Sequence, residues 1–212
     1  MRLSNRFEKH MVAAAAVAMG AAAAANAAVV YSGVINFVCA VDSSGCYINV
    51  QTNVLSNGPG GDAPGWDLNI FKPSTGSGMG FRSSSFGLVS SSTTSTANKL
   101  ATGTAIGASS TFSASSSSVT FGAAAGNWQY GSENLVGFKF KTADATTHYG
   151  WMRFLMGAAG SSGTSATRTV VDYGYESTAA TSILAGAGIV PAPGALALLG
   201  VAGLVGARRR RA

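Results

Sequence analysis

The side chains best suited to acid–base chemistry in this 212-residue chain are two histidines and a set of carboxylates. His10 lies in the apolar leader described below, so a serine–histidine triad would depend on His148 alone. Two carboxylates about 5 to 10 Å apart would suffice for glycoside hydrolysis. Turns and solvated strand faces also use such acids, and we expect that role for most of them. The candidates are Asp62, Asp67, Glu133, Asp144, Asp172 and Glu176.

The sequence lacks the motifs of several common catalytic and metal sites. It contains no Gly-x-Ser-x-Gly elbow, no His-Glu-x-x-His pair and no Gly-x-x-x-x-Gly-Lys loop. Asp62, Asp67 and Asn69 offer oxygen ligands for Ca²⁺, but their spacing matches no defined calcium loop. We therefore expect no enzymatic activity, no cofactor and no metal site.

Three tryptophans are candidates for contact with a glycan, because an aromatic ring complements the apolar C–H face of a pyranose. They are Trp66, Trp128 and Trp151, and Tyr130 and Tyr149 could extend them into a platform. Packing in a hydrophobic core is the favoured alternative, since aromatic residues dominate the cores of β-sandwiches.

Residues 1–27 have the pattern of a secretory signal peptide. Arg2, Arg6 and Lys9 precede an apolar stretch, residues 11–25, that is nearly all Ala, Val and Met. Ala25 and Ala27 then satisfy the small-x-small rule for signal peptidase. The pattern predicts cleavage before Ala28, or one residue later, and export of the chain.

The last residues, 190–212, combine a proline motif, an apolar run and a basic cluster. Prolines cannot donate an N–H bond and hold the chain extended before a short helix over residues 195–207. Such a helix is about 20 Å long, short of the roughly 30 Å hydrocarbon core of a membrane. The motif is Val190, Pro191, Ala192, Pro193 and Gly194, and the cluster is Arg208, Arg209, Arg210 and Arg211.

This order of features resembles the PEP-CTERM sorting signal of Gram-negative bacteria, which an exosortase reads in the inner membrane. Ala192 stands where that family's glutamate would be. Residues 47–50, 65–69, 148–153, 172–176 and 183–186 also resemble segments of exported proteins that carry this signal. The resemblance implies passage through the inner membrane, processing by exosortase and a final location at the cell surface or outside the cell. A plain membrane anchor and an amphipathic surface helix are the alternatives for this segment.

Cys39 and Cys46 flank a turn-forming stretch, residues 42–45. Export would place them where oxidation is favoured, so we predict a disulfide that closes a hairpin. Free thiols and a metal site are the alternatives, although no second Cys or His pair accompanies them.

The net charge of +6 does not indicate a nucleic-acid partner, because the two ends carry it. Residues 29–190 contain seven basic and seven acidic side chains, scattered rather than clustered. Nucleic-acid binding requires several clustered Lys or Arg residues, so we expect none.

The segment that would position any site, residues 28–189, has the pattern of an all-β domain. Alternation of apolar and polar residues, separated by Gly-rich turns, predicts an antiparallel β-sandwich of the jelly-roll or lectin-like kind. A Ser/Thr-rich tract at residues 83–118 would on its own indicate a flexible or O-glycosylated stalk, but its interspersed apolar residues favour exposed β-edges and loops. The predicted strands are residues 34–41, 47–52, 66–70, 119–121, 136–140, 149–156 and 167–175, with weaker pieces near Phe81, residues 86–89 and Ile106.

Together these features predict an exported structural or adhesive protein of the exopolysaccharide or biofilm matrix. A carbohydrate-binding sandwich is the alternative, and a secreted glycoside hydrolase is a further one.

Overall fold

The structure is a computed structural model that describes residues 28–58, 63–73, 79–83, 88–89, 96–113, 116–122, 126–158 and 166–189. These residues form thirteen β-strands and no helix. In chain order the strands are β1 (Val29–Tyr31), β2 (Phe37–Cys39), β3 (Cys46–Asn49), β4 (Val54–Asn57), β5 (Leu68–Phe71), β6 (Gly80–Ser83), β7 (Thr96–Ala97), β8 (Ala105–Ile106), β9 (Ser116–Val119), β10 (Ser132–Lys141), β11 (Thr147–Met156), β12 (Arg168–Glu176) and β13 (Ile183–Leu184).

A five-stranded antiparallel sheet is built on the three longest strands. Its order is β1-β12-β11-β10, and β2 also pairs with β12. Strands β10 and β11 form a hairpin in continuous register from Ser132 opposite Met156 to Lys141 opposite Thr147. The register between β11 and β12 shifts after Arg153, which marks a β-bulge at that point.

A second sheet has six strands in the order β4-β3-β5-β6-β9-β7. Its pairs are antiparallel except for β7 and β9, which run parallel. The short strands β8 and β13 form a separate antiparallel pair. For the residues that the structure describes, the prediction of an all-β fold with antiparallel sheets is therefore confirmed.

The two larger sheets share one hydrophobic core, which we call the central core. The six-stranded sheet contributes buried residues such as Ile70 and Phe81, and the five-stranded sheet contributes Phe138 and Phe154. The rings of Phe81 and Phe154 meet edge to face at 5.5 Å. Each fully buried apolar side chain of this kind stabilises the fold by roughly 1.5–3 kcal/mol.

The opposite, outer face of the five-stranded sheet is covered as well. Leu100, Ile106, Tyr149, Trp151 and Ile183 pack there in a second cluster, which we call the outer cluster. Alternation along β11 explains the division, since successive side chains point to opposite faces of a strand. The central core takes Met152 and Phe154, and the outer cluster takes Tyr149 and Trp151.

Most predicted strands lie where the alternation placed them, with shifted ends. The first predicted strand, residues 34–41, shortens to β2, and the predicted strand at residues 119–121 shares only Val119 with β9. Strands β1, β4, β7 and β13 were not predicted. The Ser/Thr-rich tract contributes β7, β8 and β9, so the prediction of strands within it is confirmed. The expectation that they are exposed edges is wrong for Leu88 and Ile106, which are buried because they pack against the five-stranded sheet. The predicted signal peptide and the predicted C-terminal helix lie outside the described residues.

Candidate functional site

Cys39 and Cys46 form a disulfide, as predicted, with their Cα atoms 5.1 Å apart. The hairpin expected around it is wrong. Cys39 ends β2, which pairs with β12 in the five-stranded sheet, whereas Cys46 begins β3 of the six-stranded sheet. The bond therefore joins the two sheets.

The turn between the cysteines places them against each other. The Asp42 carboxylate accepts hydrogen bonds from the Ser44 and Gly45 amides at 2.9 and 2.6 Å. Gly45 has φ +65°, and a Cβ atom there would lie 1.7 Å from the carbonyl oxygen of Ile70. Only glycine fits this close approach of the turn to β5.

The three tryptophans occupy three different places, so they do not form one platform. Trp128 and Trp151 have no exposed surface and lie in the central core and the outer cluster. Their indole N–H groups donate to the carbonyls of Ala97 and Ala187. The interpretation of Trp128 and Trp151 as glycan contacts is therefore wrong, because a buried ring cannot stack on a sugar.

Trp66 alone of the three is partly exposed. Its ring meets that of Tyr47 edge to face, with centroids 5.4 Å apart. The buried Asn49 amide donates to the carbonyls of Pro64 and Gly65, which fixes the loop before Trp66. Tyr47 and Trp66 thus form an aromatic pair beside the backbone that Asn49 binds, which we call the Tyr47–Trp66 pair.

The side chains of Asp67 and Asn69 form hydrogen bonds with backbone groups. Asp67 is 3% exposed, and its carboxylate accepts a hydrogen bond from the Val50 amide at 2.8 Å. Burial raises the pKa of Asp67 to about 6, and the Val50 hydrogen bond opposes this rise. Asn69 donates to the carbonyls of Ser44 and Cys46. Asp62, the third residue considered for Ca²⁺, lies outside the described residues.

His148 is a buried residue of β11 with both ring nitrogens in hydrogen bonds. Its Nδ1 lies 2.8 Å from the carbonyl oxygen of Glu176, and its Nε2 lies 3.0 Å from the Thr146 hydroxyl. The same hydroxyl donates to Asp144, which also accepts from Thr142. These bonds lower the pKa of Asp144 to about 2 and close the β10–β11 hairpin. The geometry is that of a structural turn.

A charged network on the outer face of the five-stranded sheet was not predicted. Arg153 donates Nε to Asp172 at 2.9 Å and Nη2 to its second oxygen, while Nη1 contacts Glu133 at 3.1 Å. Tyr31 also donates its hydroxyl to Asp172 at 2.7 Å. The Asp172 side chain has no exposed surface, and its hydrogen bonds raise the pKa of Arg153. The sequence contained a sign of this network, because Arg153 and Asp172 are isolated charged residues within the apolar strands β11 and β12.

The network borders a pocket of about 330 Å³. Leu100, Leu135 and Ile189 form its apolar wall, and Lys99 stands at its rim with Glu133 and Arg153. Both carboxylates of the network accept bonds from Arg153.

Within the described ranges, no group of three or more His, Cys, Asp or Glu side chains is placed to hold a metal ion. No helix among the same residues has the length and hydropathy to cross a membrane. The predicted cleavage residues and sorting residues lie outside the part of the chain that the structure describes. They are Ala25, Ala27, Val190, Pro191, Ala192, Pro193, Gly194, Arg208, Arg209, Arg210 and Arg211.

Comparison of the chain with family models, with curated proteins and with solved structures finds no match.

Proposed function

We propose that the protein is exported, processed by an exosortase, and serves a structural or adhesive role in the exopolysaccharide or biofilm matrix. The observation that carries this proposal is the Cys39–Cys46 disulfide, because such bonds persist in oxidising compartments and are rare in the cytosol. The signal-peptide pattern and the resemblance of residues 190–212 to a sorting signal support the same route.

We further propose a β-sandwich of the jelly-roll or lectin-like kind. The shared central core supports it, because side chains from both larger sheets interdigitate there. The disulfide supports it as well, since it fastens β2 of one sheet to β3 of the other.

Intact-mass analysis of the protein recovered from its native cell surface tests the route. We expect a chain that begins at Ala28 or Val29, ends near Pro191, and is two hydrogens lighter than its reduced form. A surface protein that retains Met1, or full alkylation of both cysteines without reductant, would contradict the proposal.

The sorting step is tested by neutralising the four terminal arginines, Arg208 to Arg211, by substitution with Gln. Each arginine costs about 2.5–3.5 kcal/mol at the centre of a membrane, so the cluster should hold the preceding helix in place. We expect the variant to lose processing near Pro191. The control is Arg82→Gln, an exposed cation of the six-stranded sheet, which should sort normally. A normally processed surface product from the four-residue variant would return the segment to the plain-anchor alternative.

A carbohydrate-binding module is the second candidate function, and the Tyr47–Trp66 pair favours it. The pair presents a partly exposed indole beside a loop fixed by Asn49, which suits stacking on a sugar. On a glycan array, Trp66→Ala should weaken any binding at least about tenfold, as truncation of an aromatic anchor does. Leu184→Ala, at an exposed site on β13, is the control. Equal binding by wild type and Trp66→Ala would exclude the pair as the site.

A further inference from the structure

Asn57 is the one asparagine of the sequence that precedes a glycine. An Asn–Gly pair is the setting in which deamidation is fastest, because glycine has no side chain to hinder attack of its amide nitrogen on the asparagine side chain. Asn57 is an exposed residue, so water reaches it. It ends β4 and lies directly opposite Cys46 on β3. The reactive pair, Asn57 and Gly58, is therefore a neighbour of the disulfide.

The Asn57 side chain forms hydrogen bonds across the boundary between the two larger sheets. Its carbonyl oxygen accepts from the Ala40 amide at 2.8 Å, and its amide group donates to the Val38 carbonyl at 3.2 Å. Val38 belongs to β2 of the five-stranded sheet, whereas Asn57 belongs to β4 of the six-stranded sheet. We call this contact of Asn57 with residues 38–40 the sheet junction.

The Cys39–Cys46 disulfide lies within the sheet junction. Cys39 stands between Val38 and Ala40, the two residues that bond to Asn57. Its bond to Cys46 fastens that segment to β3, the strand that pairs with β4. The disulfide and the two hydrogen bonds of Asn57 therefore fasten the same segment to the same sheet.

The backbone of Gly58 is held separately, by the turn that precedes β3. Its amide donates to the Gly45 carbonyl at 2.9 Å. A Cβ atom at Gly58 would lie 2.6 Å from the Cβ atom of Ser44, so the two segments pack closely. The Gly58 amide has to leave Gly45 before it can react, whether or not the disulfide is present.

Deamidation begins when the Gly58 amide nitrogen attacks Cγ of Asn57. The nitrogen forms a bond to Cγ and gives up its proton, the bond from Cγ to Nδ2 breaks, and ammonia leaves with that proton. Water then opens the cyclic imide at either carbonyl, which yields aspartate or isoaspartate. Water is the only co-reactant, and nothing is oxidised or reduced.

We propose that Asn57–Gly58 is a deamidation site that the sheet junction shields while the disulfide is intact. Ring closure redirects Cγ toward the Gly58 nitrogen, so the side chain must give up its bonds to Val38 and Ala40. Opening the disulfide removes the covalent tie that restricts these two partners. This inference goes beyond the proposed function, because it requires neither exosortase processing nor a glycan.

The product cannot restore the sheet junction. An ionised aspartate only accepts hydrogen bonds, so it cannot donate to the Val38 carbonyl and places two oxygens where a bond had been. The loss of ammonia makes the change permanent. A molecule that has spent time without its disulfide would therefore carry an added negative charge at residue 57.

Peptide mass spectrometry of the full-length protein, incubated at mildly alkaline pH, tests the proposal. We expect Asn57 to be converted at least about fivefold faster in the double variant Cys39→Ala, Cys46→Ala than in the oxidised wild type, because the shielding rests on two hydrogen bonds. Wild type kept in a thiol reductant should match the variant and needs no substitution. Asn53, an exposed asparagine followed by Val54, should stay unmodified in every sample.

Residue-resolved hydrogen exchange reports whether the sheet junction alone has opened. The Ala40 amide, which donates to Asn57, should lose protection when the disulfide is absent. The Ser32 amide, which donates to Tyr173, should stay protected. Equal rates of deamidation with and without the disulfide would overturn the proposal, and so would an unmodified Asn57 in the double variant. Loss of Ser32 protection in both disulfide-free forms would also overturn it, because general unfolding would then account for the reaction.

Discussion

Replacement of Asp67 by Asn should stabilise the protein at neutral pH. The carboxylate is 3% exposed, and its pKa in the folded chain is about 6, against 3.8 without burial. The folded state therefore holds this proton more tightly than the unfolded state does. Stability conferred by the protonated form is complete below pH 3.8 and is lost as the pH rises through 6.

The size of the effect follows from the two pKa values. A difference of about two pKa units, at 1.36 kcal/mol per unit, amounts to roughly 3 kcal/mol of free energy of unfolding. Asparagine keeps an oxygen that can accept the Val50 hydrogen bond and removes the buried charge. The wild type should thus lose up to about 3 kcal/mol between pH 4 and pH 7.5, and Asp67→Asn should lose much less.

Urea unfolding at several pH values between 4 and 7.5 measures this difference. Asp144→Asn is the contrasting variant, because hydrogen bonds from Thr142 and Thr146 lower the pKa of that exposed carboxylate to about 2. Its stabilising contribution is present above pH 3.8 and is lost as the pH falls through 2, so this variant should be less stable than wild type at pH 7.5. If the free energy of unfolding changed with pH by the same amount in wild type and Asp67→Asn, the reasoning would be refuted.

Three further predictions concern urea unfolding. Cys39→Ala with Cys46→Ala opens a loop with a sequence separation of seven, and should cost about 2.5 kcal/mol in the chain-entropy model; an unchanged midpoint would count against the bond. Gly45→Ala should cost roughly 3 kcal/mol or more because its Cβ meets a backbone carbonyl, whereas Gly33→Ala, at φ +73° in open space, should cost about 1 kcal/mol. Equal costs would contradict the steric argument. Arg153→Met should cost roughly 3–5 kcal/mol because the buried Asp172 carboxylate would lose its cation and keep only the Tyr31 hydroxyl, and a neutral effect would show that the network adds little.

Alternation alone identified the long strands of the protein. In β10, residues 136, 138 and 140 are apolar and lie in the central core, as a period of two requires. The pattern is local to each strand, so it can be recognised without knowing the partner strand. The short strand β1 was missed because it depends on pairing with the distant strand β12, and β4, which pairs with its chain neighbour β3, was missed because its four residues show no alternation of their own.

The sequence could not show which aromatic residues are buried or which charged residues form pairs. Trp66 and Trp151 lie in equally β-rich surroundings, yet one is partly exposed and the other is buried. Strand β11 is covered on both faces, and its alternation cannot reveal the second layer formed by β8 and β13. Arg153 and Asp172 became partners only because β11 and β12 are neighbours in the sheet.

The sequence by itself determined the β-strand class, the short-range turns and the identity of the disulfide partners, since the described chain has only two cysteines. Tertiary structure decided that the disulfide joins two sheets instead of closing a hairpin, because Cys39 and Cys46 pair with strands far apart in the chain. The alternation of apolar and polar side chains is local and can be recognised in a sequence. The order of strands in a sheet also depends on contacts between distant residues, such as those of β1 with β12, more than a hundred positions away.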